Sequence, residues 1–211
     1  MNYYERAQEL NEETIANRRY FHTNAEVGLD MPKAKAYVMK KLTEYGLEPR
    51  ECGYGVTATL GHGGKCIMLR ADMDALPMPE ESGEPFACPT GKEAHACGHD
   101  FHAAMLLTAA KMLKENESEL EGTVKFMFQP AEETFAGSKK LIAAGILENP
   151  KVDAAMAMHV NSGTPSNLVV CGLGTSIGGC NRFRIVVNGT GCHGAMTVLG
   201  VDPINICLLY T

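Results

Sequence analysis

Residues 95–102 read His-Ala-Cys-Gly-His-Asp-Phe-His, so five side chains able to bind a metal (His95, Cys97, His99, Asp100 and His102) fall in one short run. Cys97 and His99 flank Gly98, which has no Cβ and lets the backbone bend until a thiolate and an imidazole face one ion. The plain alternative is a helix cap with a buried cysteine and surface imidazoles. A second run, Gln129-Pro130-Ala131-Glu132-Glu133-Thr134, sets two carboxylates side by side. Neighbouring side chains point in different directions, so one can bind metal while the other stays free as a general base. An acidic first turn of a helix, favoured by the helix dipole, has the same appearance. His159 closes the apolar run Ala154-Ala155-Met156-Ala157-Met158, and Asp72 and Asp74 stand two residues apart after Arg70, on one face of a strand. Taken singly, a lone His is more often a core residue, and either Asp can be a salt-bridge partner of Arg70.

These groups need elements to carry them to one place. Ala7, Leu10, Ile15 and Phe21 recur among charges and predict a helix to about His22. Pro32 starts a second helix with Tyr37, Val38, Leu42 and Tyr45 on its face, ending at Gly46. Further helices are expected at about His99 to Glu115 and at about Gly137 to Ala144, the latter closed by Gly145. Val56 to Leu60 and Cys66 to Ala71 are β-rich runs on either side of Gly61-His62-Gly63-Gly64-Lys65, a hairpin signature. Thr123 to Phe128 and a buried run, Ala154 to Val160, complete the strands. This alternation predicts an α/β fold, a sheet covered by helices, in which chemistry collects just beyond strand ends. After Pro165, Gly, Ser and Asn become frequent, and Arg182 to Val187 reads as a half-buried strand ending at an Asn188-Gly189 turn. We therefore expect one domain over residues 1–165 and the start of another over 166–211.

Composition narrows the function classes. The 211 residues are 45% apolar and 21% charged, which is ordinary for a globular chain and excludes disordered, collagenous and coiled-coil readings. A net charge of −6 and the lack of a basic patch interleaved with aromatics argue against nucleic acid and anionic lipid as partners. The polar start Met1 to Arg6 has no signal-peptide core. The uncharged stretch Ala154 to Asn181 is broken by Asn, Ser, Gly and Pro, so no membrane span is expected and the protein reads as cytoplasmic. None of the eight Cys pairs as C-x-x-C, and most are expected to be small buried hydrophobes. Gly61 to Lys65 is no phosphate loop, because Cys66 stands where Ser or Thr is needed. Asn188-Gly189-Thr190 reads as a turn rather than a glycosylation site. A helix that starts at Pro203 and meets no stop before Thr211 suggests an incomplete chain.

Together, Arg70 to Pro77, His95 to His102, Gln129 to Glu133 and Met158-His159-Val160 resemble the M20 metallopeptidase family, in the amidohydrolase subgroup of hippurate hydrolase, N-acyl-amino-acid deacylases and auxin-conjugate hydrolases. The resemblance implies the first half of a family member: a mixed-sheet, zinc-exopeptidase-like catalytic domain, then the start of a smaller α/β lid that often dimerises. It implies that Cys97, His99, Glu133 and His159 are ligands of two divalent ions, Zn²⁺ or Mn²⁺, with Co²⁺ and Ni²⁺ as alternatives. Glu132 would be the catalytic acid/base and Asp74 the carboxylate beside the metals. In Gly189-Thr190-Gly191-Cys192-His193-Gly194-Ala195, His193 matches the lid histidine that in dimers reaches the partner's active site. Thr197 departs from the Pro that relatives commonly carry soon after that His, and the family's remaining ligand His lies far downstream.

The implied substrate is an N-acyl amino acid, cleaved to a carboxylate and a free amino acid. A dipeptidase or aminopeptidase of the same family is the nearest alternative. A thiol enzyme using Cys97 with His99 lies further off; a truncated chain that binds one metal weakly or none and has no turnover weighs more, and the 211 residues alone are expected to have little activity.

Overall fold

A computed structural model describes residues 1–175, 178–181 and 183–208 of the chain. Two compact units emerge, Met1–Gly163 and Thr164–Thr211. The first contains helices α1 (Tyr3–Glu9), α2 (Asn11–Thr23), α3 (Pro32–Glu44), α4 (His99–Glu115) and α5 (Gly137–Ala143). Its strands are β1 (Arg50–Cys52), β2 (Gly55–Gly61), β3 (Cys66–Asp72), β4 (Thr123–Gln129) and β5 (Ala154–Ala157). The expected opening helix is interrupted at Leu10, so two helices stand where one is predicted.

The strands form one mixed sheet in the order β1-β2-β4-β3-β5. Strands β1 and β2 are antiparallel, as are β2 and β4, whereas β3 runs parallel to both β4 and β5. The hairpin expected from Gly61 to Lys65 is therefore not formed. Strand β4 inserts between β2 and β3, and the connecting loop straddles its start: Thr123 donates from its amide to Lys65 O and from its hydroxyl to Gly63 O. The glycine-rich loop signals a reversal, but it carries no information about which strand enters the gap.

Strand β4 is buried at every position. Its alternation sends Val124, Phe126 and Phe128 into a core with Phe21 of α2, Val38 and Leu42 of α3, and Leu107 of α4, while Met127 packs with Leu141 of α5 on the other face. Each fully buried Phe there stabilises the fold by about 1.5–3 kcal/mol. Lys125 points to the α5 face and is wholly buried, its Nζ donating to the carbonyls of Ile146, Glu148 and Pro150. The α/β sheet covered by helices is thus the observed architecture, with the C-terminal ends of β3, β4 and β5 on one side.

Three further expectations fail. Strand β5 stops at Ala157 and is exposed rather than buried, because among the described strands it pairs only with β3 and lies at the sheet edge. The half-buried strand at Arg182 to Val187 is not seen: Arg182 lies outside the described residues, and 183–187 form no strand. The second unit has, among its described residues, only the isolated bridge Thr190↔Val201, a single turn at Thr197–Leu199 and helix α6 (Pro203–Leu208), so no ladder holds Phe183 and Ile185 inside. Residues 209–211 of the predicted terminal helix also lie outside the described residues. Finally, only Cys52, Cys66 and Cys88 are buried, and the four cysteines of the second unit are exposed. No described helix is long and apolar enough to cross a membrane.

Candidate metal centre

The site forms where β3, β4 and β5 end and α4 begins. Gly98 is the N-cap of α4 at φ +87°, a left-handed conformation that costs any L side chain, and a Cβ there would meet Val160 Cγ2 at 2.3 Å. That close approach brings the turn carrying Cys97 and His99 against the segment carrying His159. Cys97 Sγ lies 3.4 Å from His159 Nε2. The other nitrogen of His159, Nδ1, donates to Val160 O at 2.6 Å, which fixes the tautomer and leaves the Nε2 lone pair facing the sulfur.

After β4, the chain turns sharply. Phe135 N donates to Glu132 O, and the amides of Ala136 and Gly137 both donate to Ala131 O. Gly137 is required, since a Cβ would sit 1.6 Å from Pro130 O. Glu132 and Glu133 therefore lie in a tight turn ahead of α5, not in its first helical turn.

His99 is the hub. It is fully buried, and its Nε2 makes no hydrogen bond. Its Nδ1 lies 3.3 Å from Asp74 Oδ1, and its Nε2 is 3.8 Å from Glu133 Oε1. Donor atoms of Cys97, His99 and His159 lie within 4.8 Å of one another, as do those of His99, Glu132 and Glu133. Asp74 stands behind these groups, its Oδ2 accepting from the Glu133 amide at 3.2 Å.

Asp72, His99 and His102 form a third cluster, but its chemistry differs. His102 Nδ1 donates to Asp72 Oδ1 at 2.6 Å, its Nε2 accepts from Val160 N at 2.9 Å, and Asp72 Oδ2 pairs with Arg70 at 2.8 Å. Both His102 nitrogens are engaged, so this trio orients the chain beside His159. The Arg70 salt bridge considered for the aspartates thus belongs to Asp72. Burial alone would raise the Asp72 pKa, but the His102 hydrogen bond and the Arg70 charge hold it below the usual range.

Three observations fit a cation. A buried imidazole nitrogen left unbonded, as His99 Nε2 is, is costly unless something ligates it. Burial, reinforced by Glu133, pushes the Cys97 thiol up to about 12, so carboxylates and sulfur share this space as anions only with positive charge between them. The sulfur-to-nitrogen separation of 3.4 Å also matches the roughly 3.5 Å between Cys and His donors on a tetrahedral ion. Burial lowers the His99 pKa, but Asp74, Asp72 and Glu133 outweigh it and raise it overall. His95, two residues before Cys97, is buried and held neutral, its pKa pushed down by desolvation to about 4.

Cys97, His99, Glu132, Glu133, His159 and Asp74 thus converge within the first unit. His193 lies in the second, exposed, with Nδ1 accepting from Ala195 N. Spacing alone does not single out His22, whose imidazole meets Asp100, the neighbour of His99, across 78 residues of sequence.

The profile of peptidase family M20/M25/M40 matches residues 68–202. N-acetyl-L-cysteine deacetylase of Bacillus subtilis is 38% identical over 92% of this chain and 47% of its own length. IAA-amino acid hydrolase ILR1-like 5 of Arabidopsis thaliana is 39% identical over 90% of this chain and 44% of its own. A solved Bacillus subtilis structure, YxeP, described as a dinuclear metal binding peptidase from the M20 family, superposes with a TM-score of 0.71 at 36% identity, covering 75% of this chain and 45% of that one. The chain spans about half the length of the curated relatives it matches.

Proposed function

Because the chain belongs to peptidase family M20/M25/M40, we propose that it carries the metal-binding half of an amidohydrolase that splits N-acyl amino acids into a carboxylate and a free amino acid. The observation that carries this reading is His99, buried, with Nδ1 held by Asp74 and Nε2 unbonded among Cys97, His159 and the Glu132-Glu133 turn. Cys97, His99, Glu133 and His159 would hold a pair of divalent ions, Zn²⁺ or Mn²⁺, the mixed sulfur, nitrogen and oxygen donors suiting Zn²⁺ while also accepting Co²⁺ or Ni²⁺. Bound there, the ions would supply Lewis acidity to water and to the substrate carbonyl.

The chain's own residues do the rest. Glu132, beside the ligand turn and half-exposed, takes the proton of the attacking water on its carboxylate. It then delivers that proton to the amide nitrogen, which is too poor a leaving group to depart as an anion. Asp74 holds His99 from behind, and the Val160 carbonyl holds His159. His193 is assigned to the reacting carbonyl of a partner chain's substrate, in a homodimer formed through the second domain. We place the reaction in the cytoplasm.

Two of the relatives are named for an N-acetyl amino acid and an IAA-amino acid, which supports an N-acyl substrate over the free α-amine that a dipeptidase or aminopeptidase requires. The thiol alternative fares worse: the imidazole that hydrogen-bonds Cys97 is His159, and a thiol pushed up to about 12 is a poor nucleophile. The test is hydrolysis of N-acetyl amino acids by the chain joined to its downstream half. Chelation is expected to abolish the activity, and added Zn²⁺ or Mn²⁺ to restore it. Glu132→Gln is expected to retain bound metal while losing turnover. Activity that survives chelation, or survives in Glu132→Gln, refutes the assignment.

A further inference from the structure

A buried ionic chain ends one residue beyond His99. Asp100, in the first turn of α4, has a wholly buried side chain. Its Oδ1 accepts from Phe101 N, while Oδ2 meets Arg18 Nε and His22 Nδ1, each at 2.7 Å. The opposite nitrogen of His22, Nε2, meets Glu80 Oε1 at 2.7 Å. Both imidazole nitrogens face carboxylate oxygens at hydrogen-bond distance, so both donate and the ring is an imidazolium. Arg18 Nη2 lies 3.2 Å from the same Nδ1, two cations held together by the shared Oδ2. Hydrogen bonding to Asp100 raises the His22 pKa, in keeping with that state.

Arg18 already neutralises Asp100, so charge balance at Asp100 alone does not require His22. What His22 adds is a span. Glu80 belongs to the irregular segment between β3 and α4, where its Oε2 also accepts from Cys88 N, and Thr23 of α2 donates to Phe86 O in the same segment. The start of α4 lacks a side-chain cap and pivots on Gly98, so its direction must be set from outside the helix. We propose that His22 is a positioning residue of the metal centre: by bridging Asp100 and Glu80 it locks the Cys97–His99 turn to α2 and to the preceding loop, presetting the ligands before an ion arrives. This rests on the metal reading above, in which Cys97 and His99 are ligands.

The test uses the 211-residue chain as parent, with His22→Gln, Glu80→Ala and the conservative Glu80→Gln, which keeps an acceptor for Nε2. Amide hydrogen exchange is measured without metal, and Co²⁺ is titrated by its thiolate charge-transfer absorption. His22→Gln is expected to speed exchange at residues 97–101 about tenfold while leaving 104–115 unchanged, and to weaken Co²⁺ binding about tenfold, the lower end of what lost outer-shell contacts do. Glu80→Ala should move both readouts the same way, and Glu80→Gln should stay near the parent. If His22→Gln does not fold, Glu80→Ala decides alone. Uniform loosening along α2 and α4, or Co²⁺ affinity equal to the parent's, overturns the proposal. A parent chain that binds no Co²⁺ overturns the metal reading instead, and the exchange pattern still decides the role of His22.

Discussion

Gly98→Ala tests the claim that a close backbone approach assembles the proposed ligands. Two costs can be separated. A side chain at φ +87° carries a left-handed backbone penalty of about 1–2 kcal/mol. The new Cβ also lies 2.3 Å from Val160 Cγ2, so the two segments must part by about 1.1 Å to reach ordinary contact at 3.4 Å. Val160 follows His159 directly, so this motion stretches the Cys97 to His159 separation from 3.4 Å toward about 4.5 Å, beyond the roughly 3.5 Å that one tetrahedral ion spans. Loss of one donor should weaken Co²⁺ binding at least about tenfold, or about 1.4 kcal/mol. Gly91→Ala is the control: φ is +64° but nothing lies within 4 Å of the added Cβ, so it carries the backbone penalty without the clash. Thermal unfolding should fall in both variants, and the thiolate-to-cobalt absorption should weaken only in Gly98→Ala. If Gly98→Ala binds Co²⁺ with the parent's affinity and spectrum, the steric argument is wrong.

Two further outcomes follow from the core and the surface of the first unit. Lys125→Met should destabilise the chain by about 2–4 kcal/mol in urea unfolding, because it strands the three carbonyls that Nζ satisfies; a loss under 1 kcal/mol would show that water replaces it. Burial alone would raise the Glu13 pKa, but hydrogen bonds from Lys111, Lys41 and Tyr45 bring it down to about 2. A folded value below the unfolded one means that this contribution is complete above about pH 4.5 and lost as pH falls toward 2. Glu13→Gln should therefore lower stability at pH 6 and flatten its decline between pH 4.5 and 2, and an unaltered acid profile would contradict the pairing.

Much of the candidate site was legible because its signals are local. Cys97, Gly98 and His99 sit within three residues, and the Glu132-Glu133 pair follows directly on an apolar strand. Helix ends were legible for the same reason, with Pro32 opening α3 and Gly145 following α5. Strand pairing was not. Gly61 to Lys65 announces a reversal between two β-rich runs, yet the gap between them is filled by β4, whose sequence lies more than 50 residues further on. Side-chain alternation records that a strand is half or fully buried, not which neighbour completes its hydrogen bonds. The exposed state of β5 was hidden likewise, since Ala154 to Ala157 is apolar whether or not another layer covers it.

The amino-acid sequence by itself determined the kinds of donor, their grouping and the α/β alternation that delivers them to strand ends, because these are properties of neighbouring residues. Only the tertiary structure decided how the donors are held. It pairs His102 with Asp72, sets Asp74 behind His99, and brings His22 to Asp100 and Glu80. Each contact joins residues far apart in sequence, and its strength depends on distance, burial and the second partner of each carboxylate. Those quantities exist only once the sheet has ordered its strands and α4 has docked against α2.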